Sequence, residues 1–127
     1  MIDWPGLRAA AIHAATHSYS PYSKFPVGAA GLVDDGRIVQ GCNVENASYG
    51  LGLCAECSMV SALAMSGGGR LVAVATRLAN GTAVMPCGRC RQLIWEHGGG
   101  ACLVDGNGTP TPMAEILPGA FDASELT

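Results

Sequence analysis

Two short stretches, Cys54-Ala55-Glu56-Cys57 and Pro86-Cys87-Gly88-Arg89-Cys90, constrain the fold of this chain more than any other feature. Cys54, Cys87 and Cys90 can close on one metal ion only if the fold carries two distant segments to the same place. Three protein thiolates leave one vertex of a tetrahedral zinc open for water, which separates a catalytic zinc site from a closed structural one. Glu56 follows Cys54 closely enough to put a carboxylate beside that water as a general base.

Composition narrows the setting. At 127 residues the chain is long enough for one domain over 1–127, burying roughly two-thirds of its unfolded surface. Apolar residues make up 49% and charged residues 13%. An average domain carries about 25% charged residues, so part of the apolar surface is expected to be covered by other copies of the chain. The net charge of −3, with no Lys/Arg run, argues against nucleic acid as a partner, since that affinity comes mostly from phosphate neutralisation. Met1-Ile2-Asp3-Trp4-Pro5 lacks the basic and apolar regions of an export signal. No apolar run approaches the ~20 residues of a membrane span. A cytoplasmic, non-membrane protein is expected, with its six cysteines reduced rather than paired in disulfides.

Taken in order, Pro5 to His17 predicts a helix, with proline in the first turn followed by good helix formers. His13 and His17 share a face at metal-binding spacing. No cysteine or carboxylate lies near them in sequence, so they are assigned to a solvated surface. Phe25 to Val33 and Arg37 to Val44 predict two strands joined by a hairpin at Asp34-Asp35-Gly36. The small residues Gly28 to Gly31 allow another element to pack close. Asn43 and Glu45, on one side of an extended segment, either face water or hold neighbouring hydroxyls. Cys54 to Ser66 predicts a helix stopped by Gly67-Gly68-Gly69, and Leu71 to Thr76 a strand buried on both faces. Cys87 to His97 predicts a helix ending at Gly98, and Ala101 to Val104 a short strand. Asp105 to Gly108 is assigned to a turn, Thr109 to Pro112 to an edge strand and Met113 to Leu117 to a helical turn. The order predicts an α/β fold, a three-layer α/β/α sandwich on a mixed five-stranded sheet.

On this scheme Cys54 opens one helix, and Cys87 and Cys90 open another. Helix N-termini carry partial positive charge and free N–H groups, which offset the negative charge of three thiolates. A lone Cys87-x-x-Cys90 also suits a thiol redox pair, and Cys57 as fourth ligand would make a structural zinc module. The combination is sharper. A ligand two residues before a non-ligating glutamate, then Pro-Cys-x-x-Cys, is the zinc deaminase signature.

The chain as a whole resembles the small homotetrameric cytidine deaminases of pyrimidine salvage. The resemblance rests on Tyr22-Ser23-Lys24-Phe25-Pro26-Val27-Gly28-Ala29-Ala30, Gly41-Cys42-Asn43-Val44-Glu45-Asn46-Ala47-Ser48-Tyr49-Gly50 and Cys54-Ala55-Glu56. It continues in Met85-Pro86-Cys87-Gly88-Arg89-Cys90-Arg91-Gln92 and Leu117-Pro118-Gly119-Ala120-Phe121. It implies one Zn2+ per subunit on Cys54, Cys87 and Cys90, with Glu56 moving protons from water to N3 and to the departing amino group. It implies that Asn43 and Glu45 grip the ribose 3′-hydroxyl, Phe25 stacks on the base and the Ala55 backbone holds it. Ala47, Tyr49 and Phe121 are implied to act across subunit interfaces. Three-cysteine relatives commonly carry arginine directly after the glutamate, where this chain has Cys57; Arg91 is one candidate for the missing counter-charge. A blasticidin-type deaminase shares the zinc motif, but the Asn43-Val44-Glu45 pair argues against it.

Overall fold

The computed structural model describes residues 1–126. Its first helix, α1 (Trp4–Ala15), starts where Asp3 accepts a hydrogen bond from the Gly6 N–H at 3.1 Å and Pro5 fills the first turn. Strands β1 (Val27–Val33) and β2 (Ile38–Cys42) form the expected antiparallel hairpin, with Gly36 at φ 95° in its turn. β3 (Leu71–Leu78) pairs antiparallel with the other edge of β1. α3 (Gly88–Gly98) then crosses over one face of the sheet, and β4 (Leu103–Asp105) lies parallel to β3. The edge strand β5 (Thr111–Pro112) returns antiparallel to β4 and runs into the one-turn α4 (Met113–Ile116). The order β2-β1-β3-β4-β5 makes a mixed five-stranded sheet.

Apolar side chains then sort the helices onto the two faces. Leu7 and Ala11 of α1 bury against Ala30, Ala73 and Ala75. On the opposite face Met59 and Leu63, from α2 (Ala55–Met65), and Ile94 of α3 pack on Ala29, Val74 and Val104. This is the expected three-layer sandwich. Two glycines set the spacing of the layers. A Cβ at Gly28 would stand 1.9 Å from the Ala11 carbonyl oxygen, and one at Gly41 would stand 2.2 Å from the Met59 nitrogen. Only glycine lets α1 and α2 lie this close to the sheet.

The strands differ from expectation where the backbone is interrupted. β1 begins at Val27 rather than Phe25, because Lys24 takes φ 58° and Pro26 has no N–H for the ladder. Val44 lies beyond β2 in isolated bridges to Tyr19 and Leu53. β3 reaches Leu78, because β1 supplies ladder partners along its whole length. Asp105 belongs to the strand rather than to the turn that follows. It ends β4 fully buried, bonded to Arg8 Nε at 2.6 Å and Arg77 Nη2 at 3.1 Å, and accepts the Gly108 N–H at 2.7 Å. These contacts tie α1, β3 and the 105–108 turn to one carboxylate.

Burial disfavours the Asp105 charge, but the hydrogen bonds from Arg8, Gly108 and Arg77 outweigh it and hold the carboxyl below its ordinary range. A depressed pKa contributes stability above the unfolded-state value of about 3.9 and loses it as pH falls toward the folded-state value. Asp105→Asn leaves the buried Arg77 without its counter-charge and is expected to cost about 3 kcal/mol near pH 7. Denaturant unfolding at pH 7 and below pH 4 checks this: the deficit against wild type should shrink at the acid end. An equal deficit at both would show that the carboxylate charge is not what stabilises the junction.

Candidate metal centre

The N-termini of α2 and α3 lie side by side, and both begin at a cysteine. Cys54 is the cap residue of α2 and Cys87 that of α3, each extended at ψ 156° and 169°. Cys90 follows one helical turn after Cys87 and is buried. The sulfurs of Cys54, Cys87 and Cys90 lie within 4.8 Å of one another, the one such group of potential ligands among the described residues. A tetrahedral zinc with Zn–S of about 2.3 Å needs sulfurs about 3.8 Å apart, a distance small side-chain rotations supply here. The donor set therefore fits zinc. Cys57 stands outside this group.

The electrostatics of the thiols follow from the same placement. Burial pushes Cys54 and Cys90 above the ordinary thiol range, and nearby negative groups add to the shift. Cys87 goes the other way, because the Cys90 N–H, at the start of α3, donates to its sulfur. A divalent cation at the centre reverses the cost of gathering such groups. Glu56 is 5% exposed, and burial pushes its carboxyl up, with its own N–H and the Cys90 thiol only partly opposing.

Above the sulfurs is a cavity of about 280 Å³, lined by Phe25, Val27, Asn43, Cys54, Ala55, Glu56, Val84, Met85, Cys87 and Cys90. The structure thus brings seven of the expected site residues to one pocket: three thiols, Glu56, Phe25, Asn43 and Ala55. A second cavity of about 370 Å³ is lined by Tyr22, Ser23, Glu45, Asn46, Tyr49 and Gly52. Ala47 and Phe121 are exposed and line neither cavity.

Asn43 and Glu45 are not simple solvated polar groups. The Asn43 Oδ1 accepts the Val27 N–H at 2.9 Å and the Ser18 hydroxyl at 2.5 Å, and its Nδ2 donates to the Phe25 carbonyl at 2.9 Å. Glu45 Oε1 accepts the N–H groups of Tyr22 and Ser23 at 3.0 and 3.1 Å, and Oε2 accepts the Ser23 hydroxyl. That hydroxyl bond, first among the causes, holds the Glu45 carboxyl below its ordinary value. Both side chains thus anchor the segment that presents Phe25. Sequence reasoning missed Ser18 and Ser23, although serines beside a tight turn are a known signal for side-chain bonds to nearby backbone.

Arg91 spends its donors on the carbonyls of Pro86 and Ile116, at 2.8 and 2.9 Å. It is Arg89, exposed in the first turn of α3, whose guanidinium lies near the Cys57 thiol and interacts electrostatically with Cys54 and Cys90. His13 and His17 pack edge to face at 5.2 Å between ring centroids, over a shallow cavity that shares no lining residue with the cysteine pocket.

Residues 6–105 match the cytidine and deoxycytidylate deaminase zinc-binding region. The chain belongs to this family. It is 55% identical over 125 residues to a cytidine deaminase of Mycobacterium tuberculosis (strain CDC 1551 / Oshkosh), covering 98% of this chain and 94% of that protein. A crystal structure of a mutant cytidine deaminase from Mycobacterium tuberculosis superposes with a TM-score of 0.95 at 54% identity, covering 98% of this chain and 99% of the other. The cytidine deaminase of Mycobacterium leprae gives a TM-score of 0.90 at 57% identity, over 93% of this chain and 99% of that one. The family fold and the clustered cysteines agree on a zinc-binding deaminase.

Arg89→Ala removes a cation beside the thiols without touching a ligand. Chelator competition on the purified protein is expected to show zinc held up to about tenfold more weakly, as for other groups just outside a metal's ligand shell. Arg91→Ala should lower the melting temperature with zinc affinity little changed; the reverse pattern would assign the counter-charge to Arg91.

Proposed function

We propose that this chain hydrolyses cytidine and deoxycytidine to uridine and deoxyuridine with release of ammonia, a step of pyrimidine salvage in the cytoplasm. The observation that carries the reading is one pocket in which three clustered thiols, a buried carboxyl and an aromatic face converge. No helix of the described residues is long and apolar enough to cross a membrane.

The residues divide the work. Cys54, Cys87 and Cys90 hold zinc, which when bound supplies a Lewis acid that lowers the pKa of water at its open position. Phe25 stacks on the pyrimidine, and the Ala55 backbone, buried at the start of α2, fixes its edge. Glu56 takes a proton from the attacking water and delivers it to N3 as the water oxygen adds to C4. It then passes the second proton to the exocyclic nitrogen, the C4–N bond breaks, and ammonia leaves with the electron pair. Asn43 and Glu45 hold the sugar. The Asn43 amide keeps one N–H free after its bond to Phe25, and Glu45 Oε2, which accepts only the Ser23 hydroxyl among the described residues, can accept another hydrogen bond.

Assembly belongs to the same reading. Tyr22, Phe25, Val44, Tyr49, Leu51 and Leu53 are exposed large apolar residues around or near the two cavities. Tyr49, 81% exposed, meets the tilted ring of Tyr22 at 6.3 Å between centroids. A homotetramer covers this surface, with Ala47, Tyr49 and Phe121 completing sites across interfaces.

The test is a falling cytidine absorbance with metal-quantified protein, one zinc per chain. Glu56→Gln is expected to keep zinc and fold while turnover falls by about 10²-fold or more. Full activity in that variant would refute the proton-transfer role. Redox cycling of Cys87 and Cys90 without deamination would favour a thiol protein instead.

A further inference from the structure

The segment between Ser18 and Val27 is the one place where a polar network, a strained backbone and the two cavities coincide. Lys24 adopts φ 58°, a left-handed conformation that costs a non-glycine residue roughly 1 kcal/mol and persists only when its surroundings enforce it. The residues on either side show what does so. The Ser23 hydroxyl donates to Glu45 Oε2, and Ser23 Oγ in turn accepts the Phe25 N–H at 3.1 Å. Ser23 and Glu45 line the outer cavity, and Phe25 lines the one above the thiols. One hydroxyl therefore joins the two cavities across the strained residue.

We infer that Ser23 is a positioning residue that sets the orientation of the Glu45 carboxylate, and through it the selectivity for a nucleoside bearing a 3′-hydroxyl. This rests on the sugar-binding role proposed above for Glu45. The two backbone N–H groups of Tyr22 and Ser23 pin only Oε1, leaving the carboxylate free to turn about that point. The Ser23 hydroxyl pins Oε2 and spends its proton there, so the remaining lone pair of Oε2 faces outward in a fixed direction. A ribose hydroxyl then meets an acceptor already held in place, and binding does not have to order it. Because Ser23 lines the cavity that holds Glu45 and not the one that holds the thiols, its loss should affect binding more than the chemical step.

The experiment compares cytidine with 3′-deoxycytidine in wild type, Ser23→Ala and Ser23→Thr. Ser23→Ala is expected to raise KM for cytidine about fivefold, the worth of one hydrogen bond, with kcat within about twofold of wild type. The preference for cytidine over 3′-deoxycytidine should narrow by the same factor, and Ser23→Thr, which keeps the hydroxyl, should restore it. Amide exchange followed by NMR gives a readout independent of turnover: the Phe25 amide should exchange faster in Ser23→Ala and at the wild-type rate in Ser23→Thr. Equal losses on both nucleosides, an unchanged preference, or no rescue by threonine would overturn the assignment while leaving the deaminase reading intact. A wild-type protein that holds zinc and protects the Phe25 amide yet deaminates neither nucleoside would overturn the deaminase reading, and the sugar role with it.

Discussion

The N-termini of α2 and α3 point at one small volume, and each delivers a cysteine at its cap position. Three thiols so close repel one another as they ionise, and burial adds to that cost for Cys54 and Cys90. Two features of the fold make the arrangement tolerable. Helix N-termini face the sulfurs with unpaired N–H groups, and the core beneath holds the helices at fixed separation. Gly41 is part of that second feature, since any side chain there would strike the backbone of α2 at Met59 and Ala55. The position of the ligands is thus set partly by a residue that never approaches the metal.

The other wall of the pocket is built differently. Phe25 is carried by irregular chain, and irregular chain needs side-chain bonds to hold one shape. Asn43 and Glu45 provide them, using three amide contacts and three carboxylate contacts on residues 18–27. Sugar binding and loop anchoring consequently share the same two side chains. A change at either acts on the base-stacking wall as well as on the sugar, so its kinetic effect does not divide cleanly between substrate parts.

Much of this was legible in the residues because much of it is local. The hairpin follows from Asp34-Asp35-Gly36, the stops from glycine runs, and the helix starts from where the cysteine motifs fall. The order of helices and strands indicated three layers, and Gly28 supplies the close approach that the small residues Gly28 to Gly31 allowed. What escaped depends on partners distant in sequence. Asp105 sits in Asp-Gly-Asn-Gly, which has the local marks of a turn, yet it ends β4, and Arg8 and Arg77 make it a buried junction. Asn43 gave no sign of its three partners for the same reason: Ser18, Phe25 and Val27 reach it only after the chain folds back.

Cys57 shows how a local departure can be answered from another element. An arginine at that position would have carried its charge on α2, beside Cys54. Here a thiol stands on α2, and the charge nearest it comes from Arg89 in the first turn of α3. The guanidinium acts on a thiol of one helix while its Cα belongs to the other, so the charge comes into place only when both helix N-termini are docked. The same docking gathers the three ligands. Counter-charge and ligand geometry therefore form together, and a motion that separated α2 from α3 would remove both at once.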